Sequence, residues 1–405
     1  GEFQRLQIAG LLKSSLTGIL YVLDEPSFGL GKHDIEKISY IIKDLRNKGN
    51  TILMNDHSQE ILKLADQISV MGPAAGKYGG EIKNNIDKQG YIRSLNNTPK
   101  IEFNYSKKSV PALVLKSANA NNLDNVNVEF HDSAFNVITG NSGSGKTSLL
   151  EYVIYDSLRS GRTVNCEKIN VNDNISQIIF TGQDIINSSV MSIPATRLDI
   201  FDFIRELFAK TEDAKQLGFK ASHFTYHSKF GQCPDCKGTG IHKTSMDYWS
   251  DSEVICETCD GKRYNPQVLK TKLDGLSISD VLNLSFKDVK SWLENLDNVN
   301  LKDKVASVFE LVGKTGIDYI SLGQSLNTLS TGELQAIKLV SELSSLKQKA
   351  LILLDEPTGG LHPNDKIRML NLFKELLNSG HTIICATHDQ MLIEFASRII
   401  DLDKI

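Results

Sequence analysis

Apolar residues along this chain fall in short runs, each stopped by a polar or glycine-containing turn. LYVL at 20–23, FNVIT at 135–139, LILL at 351–354 and TIICA at 382–386 have the length and the branched content of buried strands. Helix-like stretches stand between them, such as Ser148–Ile154, and the opening GEFQRLQIAG reads as turns of an amphipathic helix. Strands alternating with helices predict an α/β fold in which helices flank a parallel sheet.

Two of these runs are copies. LYVLDEPSFGL at 20–30 returns as LILLDEPTGGL at 351–361, a step of 331 positions from Asp24 to Asp355. The same step carries Glu2 onto Glu333, Gln4 onto Gln335 and His57 onto His388 without a gap. A repeat so long implies two tandem modules. The second copy is preceded by GNSGSGKTS and LNTLSTGELQAIKL, whereas GEFQR already lies inside the first copy's version of GELQA. The expectation is a fragment that opens partway through the first module. Residues 1–83 would close that module, 84–112 connect, and 113–405 form the second. A mostly helical insertion is expected at 197–325.

Candidate chemistry begins at 140–147. Gly140, Asn141, Ser142, Gly143, Ser144, Gly145, Lys146 and Thr147 spell GxxxxGK[ST] between an apolar strand and a helix opened by Ser148. That is the context a P-loop needs, since glycines let backbone N–H groups converge on phosphate oxygens and the helix start adds positive potential. Lys146 is expected to reach the β and γ phosphates of ATP, and Thr147 to ligate Mg²⁺. LILLDEP ends its strand on Asp355, a second Mg²⁺ position, and on Glu356, placed to orient the attacking water or take its proton.

Cysteine usage adds a metal. Cys233 and Cys236, then Cys256 and Cys259 after nineteen intervening residues, form two CxxC knuckles within 231–264. Four thiolates at this spacing suit a closed, structural Zn²⁺ site. With 405 residues, 40% hydrophobic and a net charge of −4, the chain has the composition of a soluble multidomain protein. The expected location is the cytoplasm, without membrane attachment. A basic footprint for nucleic acid could exist only as a local patch.

LSTGE at 329–333, LILLDEPTGGLHP and TIICATHD together resemble the signature, Walker B, D-loop and switch-histidine segments of ABC-type ATPases. The resemblance implies that Ser330, Gly332 and Glu333 cap the γ-phosphate of a facing module, that His388 contacts it, and that Gln183 is the Q-loop residue. The four-cysteine insertion narrows the family to UvrA, the damage-sensing subunit of bacterial nucleotide excision repair. PATRLDIFDFIRELFA, GKRYNPQVL and LGQSLNTLSTGE are similar to that family as well. Double-stranded DNA and a homodimer or the missing first module are the partners this implies, with weak ATP hydrolysis by the chain alone; the family's docking regions for other excision-repair subunits are expected upstream of Gly1. Lys229, Lys237, Lys243, Lys262, Arg263 and Tyr264 are the candidate duplex contacts. Thr331 and Ala336 in the signature, DIINSSVMS after Gln183, NDHS after the first switch strand, and Gly31 in the first D-loop depart from the family pattern. A UvrA-like ATPase of antibiotic self-resistance or regulation is the alternative, and the four cysteines disfavour a transporter subunit.

Overall fold

The computed structural model describes residues 17–27, 30–72, 79–84, 86–96, 110–182, 189, 191–246, 249–296 and 303–405, apart from the side chains of 32, 33, 96, 243–246 and 249–252. GEFQR, Gln183 and residues 85 and 97–109 of the expected connector lie outside these residues. The chain divides into two compact units, Gly1–Asp184 with Thr331–Ile405, and Ile185–Ser330.

In the first unit, strand β1 (Leu20–Asp24), helix α1 (Lys32–Asn47) and strand β2 (Thr51–Asn55) form a βαβ unit with the strands parallel. A short antiparallel pair follows, β3 (Val70–Gly72) and β4 (Glu81–Lys83). Next come β5 (Pro111–Ala120), β6 (Leu123–His131), β7 (Phe135–Thr139), β8 (Lys168–Val171) and β9 (Gln177–Thr181). After the second unit, which contains the hairpin β10 (Ile241–Met246) and β11 (Trp249–Ile255), the chain returns through helix α2 (Thr331–Leu343), β12 (Ala350–Asp355), helix α3 (Pro363–Asn378), β13 (Thr382–Ala386) and β14 (Arg398–Asp401).

Five of these strands make one all-parallel sheet in the order β14-β7-β13-β12-β9. β12 and β13 are buried at every residue, which is why they read as unbroken apolar runs rather than as alternating ones. A three-stranded antiparallel sheet, β6-β5-β8, supplies Leu113, Leu115, Val128 and Phe130 to a core shared with Leu149, Val153, Leu351 and Leu353.

The repeat holds residue by residue. β1 pairs with β2 from Leu20↔Thr51 to Asp24↔Asn55, and β12 with β13 from Leu351↔Thr382 to Asp355↔Ala386. α1 and α3 span equivalent positions, and each is followed by a left-handed glycine, Gly49 at φ 83° and Gly380 at φ 86°. Pro363 opens α3, where its missing N–H costs nothing, and the His362 side chain caps it by accepting from the Asn364 N–H.

Helices are the main regular elements of the second unit, joined by long irregular stretches. Side-chain caps start four of its helices, Thr211, Asn265, Ser277 and Ser285 each accepting from a first-turn N–H. Phe208, Phe224, Tyr226 and Tyr264 are fully buried around the paired cysteines' supporting loops.

Candidate functional site

β7 delivers the chain into the glycine loop. Gly140, Gly143 and Gly145 take φ values of 147°, 84° and 96°, a region costly for any residue with a Cβ. Space is equally restrictive, since a Cβ at Gly145 would lie 2.6 Å from Leu123 Cδ2 and one at Gly140 2.6 Å from Ser144 Oγ. Beyond Thr147 the chain winds in π turns over Ser148–Tyr155 before tightening to α, a rare form concentrated at functional positions.

Three braces hold the loop. Asn122 Nδ2 donates to Gly143 O at 2.8 Å, Asn121 Nδ2 to Ser148 Oγ at 3.0 Å, and the Asn141 N–H to the Asp403 carboxylate at 2.9 Å. Lys146 Nζ donates to Gly140 O and Asn141 O, both at 2.9 Å, so its ammonium already lies at the loop mouth. Among the described residues Ser144 Oγ is buried with no partner. An orphan hydroxyl in a loop of left-handed glycines with a lysine at its mouth fits a phosphate group.

The sheet brings the acidic residues to this loop. Thr147 Oγ1 donates to Asp355 Oδ2 at 2.8 Å, a cross-link between P-loop helix and β12. Thr147 and Asp355 are the residues that would hold a magnesium ion, whose charge would offset that of the phosphates. Glu356 sits at φ 48° just past β12, its N–H donating to Ala386 O at 2.9 Å. Its carboxylate is buried between Thr387 Oγ1, donating at 2.9 Å, and His388 Nδ1 at 2.7 Å. Burial works against a charged imidazole, but the hydrogen bond and charge of Glu356 outweigh it and hold His388 above its ordinary value. The first copy repeats the backbone without the hydroxyl. Glu25 takes φ 43° and donates its N–H to Asn55 O at 2.8 Å, but Asp56 stands where Thr387 would be. Burial, then Asp24 and Asp56, push the Glu25 carboxyl upward.

A cavity of about 240 Å³ within this unit is lined by both copies, Glu25, Asp56 and His57 from the first and Glu356, Lys366 and His388 from the second. His57 meets His362 edge-on at 5.7 Å between ring centres. Lys366 pairs with Asp389 at 2.6 Å, and Thr358 Oγ1 donates to the same carboxylate at 2.8 Å.

In the second unit Cys233, Cys236, Cys256 and Cys259 converge, all thiols and all buried. Sγ separations are 3.9 Å for Cys233–Cys256 and 3.7 Å for Cys236–Cys259. Four sulfurs about 2.3 Å from one tetrahedral zinc would stand about 3.8 Å apart, so the donor set fits that ion. Burial opposes a thiolate at Cys236, yet the N–H groups of Gly240 and Gly238 and the neighbouring cysteines draw its pKa down to about 7. Outside the sulfurs, Asp235 accepts from Thr258 Oγ1 at 3.0 Å and lies 3.3 Å from His242 Nε2.

Comparison with known proteins gives a consistent answer. The UvrABC system protein A of Clostridium tetani is 38% identical over 99% of this chain, and that of Staphylococcus epidermidis 37% identical over 99%. The crystal structure of UvrA2 from Deinococcus radiodurans superposes with a TM-score of 0.89 at 30% identity, covering 99% of this chain and 50% of that one. The chain belongs to the UvrA family. It spans 44% of the length of the two curated relatives. A family model described as "AAA domain, putative AbiEii toxin, Type IV TA system" matches residues 280–394. At 16% identity and a TM-score of 0.50, the structure of an RNase-L Inhibitor shares the ABC ATPase fold alone.

Within this UvrA-family chain the expected residues are partly gathered. Lys146, Thr147, Asp355, Glu356 and His388 form one cluster. Gly332 is buried in the first turn of α2, where a Cβ would meet Leu361 Cδ2 at 2.8 Å and Gly360 O at 2.9 Å, so the signature glycine rests on the second D-loop. Glu333 is half-buried and adds its charge beside Asp365, whereas Ser330 is exposed at the end of the other unit. Two of the candidate duplex contacts need correcting. Tyr264 is fully buried, its hydroxyl donating to Phe224 O at 3.4 Å, and Arg263 is half-buried, donating to Gly323 O at 3.3 Å with its guanidinium over the Tyr226 ring. An aromatic beside two cations looks like surface in sequence, but this one points inward behind the knuckle. Lys229, Lys237 and Lys262 are exposed, and the Lys243 side chain lies outside the described residues. Thr387, Asn121, Asn122 and Asp403 are site residues that motif spacing does not flag; the left-handed Asn121 turn beside the glycine loop is their one sequence-level trace.

Proposed function

We propose that this UvrA-family chain binds and hydrolyses ATP and binds duplex DNA, acting in nucleotide excision repair. The observation that carries the ATPase half is the closed set of bonds from Thr147 to Asp355 and from Glu356 to Thr387 and His388. The glycine loop and Lys146 bind and orient the phosphates. Thr147 and Asp355 hold Mg²⁺, which supplies charge neutralisation at the phosphate oxygens. Glu356 orients the attacking water and accepts its proton, while Thr387 and His388 keep that carboxylate aimed and His388 keeps a polar edge toward the γ-phosphate. Gln183 completes the nucleotide contacts in this proposal, and Ser330, Gly332 and Glu333 cap the γ-phosphate held by a facing module. The cysteines hold one Zn²⁺ that stiffens the loops carrying Lys229, Lys237 and Lys262, which contact the phosphodiester backbone without reading sequence.

Glu356→Gln should retain ATP and lose turnover by a factor on the order of 10² or more. Turnover by Glu356→Gln at the parental rate would remove this residue from the chemistry. For DNA, Lys229→Glu with Lys262→Glu should weaken binding to all duplexes alike and reduce the salt dependence. Absence of any salt-sensitive duplex binding by the parent would favour the resistance or regulatory role.

A further inference from the structure

Three rings stand in line on the second unit, and the outermost is bare. Phe219 stacks on His223 at 5.0 Å between centres and 17°, and His223 leans on Phe230 at 5.2 Å and 35°. Phe230 is 66% exposed. Its support is stiff: the Lys220 N–H donates to His223 Nδ1 at 3.1 Å and fixes the central ring. Gly231, the next residue, is packed against the carbonyls of His223 and Thr225 with no room for a side chain, and its N–H donates to Ser228 O at 3.2 Å. Two residues on, the Cys233 N–H donates to Arg263 O at 2.9 Å, tying the strip to the knuckles. Exposed lysines adjoin both ends of the ladder, Lys220 beside Phe219 and Lys229 beside Phe230.

We propose that Phe230 is a stacking platform for a single unstacked nucleobase, the ladder behind it serving as a rigid backstop and Lys220 and Lys229 holding the flanking phosphates. This rests on the duplex-binding proposal and narrows it to DNA in which one base is bulged, flipped or unpaired. A ring already immobilised loses little conformational freedom on contact, and stacking is indifferent to base identity because every base has a π-face. A base inside an intact helix has both faces covered, so the platform distinguishes disrupted from regular duplex.

The test uses the full chain, a fully paired duplex and the same duplex carrying one bulged adenine, with zinc content confirming each variant's fold. Phe230→Ala should lose about tenfold in affinity for the bulged duplex and less than about twofold for the paired one, as expected for one base–aromatic stack. Phe230→Trp should keep the preference, with its added indole emission quenched by bulged but not paired DNA. Lys220→Glu with Lys229→Glu should weaken both. Equal affinity of the parent for both duplexes, an unchanged preference in Phe230→Ala, or a change in oligomeric state alone would overturn the platform while leaving duplex binding intact. Failure of the parent to bind either duplex would overturn both.

Discussion

Thr387 and His388 share the buried carboxylate of Glu356 from opposite oxygens, so each can be removed without touching the other. Thr387→Val leaves one oxygen without a donor, and about 1–3 kcal/mol of destabilisation is expected by chemical unfolding, together with a fall in kcat larger than any change in KM. Two nearby pairs set opposite pH limits. Burial would raise Asp389, but the Lys366 ammonium and its hydrogen bond hold it below the ordinary 3.8, so its contribution is complete above that value and lost as pH falls through the lowered one. His388 lies above the ordinary 6.5, and its contribution is complete below 6.5 and lost as pH rises through the raised value. Melting temperature against pH should therefore plateau between these limits as far as the two groups decide it. Lys366→Met should flatten the acid limb and Glu356→Gln the alkaline one; an acid limb unaltered in Lys366→Met would exclude the pair as its source. At this scale the sequence revealed Glu356 and His388 because each follows a strand within a motif, whereas Thr387 is an ordinary neighbour until two strands are set side by side.

The glycine loop and the cysteine knuckles were legible as elements because their spacing is their chemistry. Sheet order was not: nothing local in Ala350–Asp355 says that it lies between Gln177–Thr181 and Thr382–Ala386, nor that Asp403 returns to brace Asn141. Gly145→Ala should abolish nucleotide binding and cost more than about 1 kcal/mol, since both φ and Leu123 forbid the methyl group. Adding Leu123→Ala relieves the clash but not the dihedral, so calorimetry should show only partial recovery. For the knuckles, Cys256→Ser or prolonged chelation should speed proteolysis between Phe230 and Tyr264 while leaving the glycine-loop unit resistant. Equal cleavage before and after metal removal would mean that hydrogen bonds such as Cys233 N–H to Arg263 O suffice to hold that segment.

Across the molecule, the two copies share a register but not surroundings. Leu20, Val22 and Leu53 are 60%, 68% and 60% exposed, while Leu351, Leu353 and Ile384, one repeat later, are all at 0%. Val22→Lys should shift stability by less than about 0.5 kcal/mol and raise solubility, whereas Leu353→Lys should prevent folding, as burying an unpaired ammonium requires. Comparable losses from both would show that the first face is covered in solution. Leu20 and Leu351 sharpen the comparison, being the same amino acid at the same ladder position opposite the same residue type, Thr51 and Thr382. The chain thus contains its own reference compound. Leu→Ala at position 20 measures what a leucine is worth to a strand by itself, and Leu→Ala at 351 measures that plus enclosure. Their difference, expected near 2–4 kcal/mol, would report enclosure together with the second neighbouring strand, β9, that β12 has and β1 lacks among the described residues.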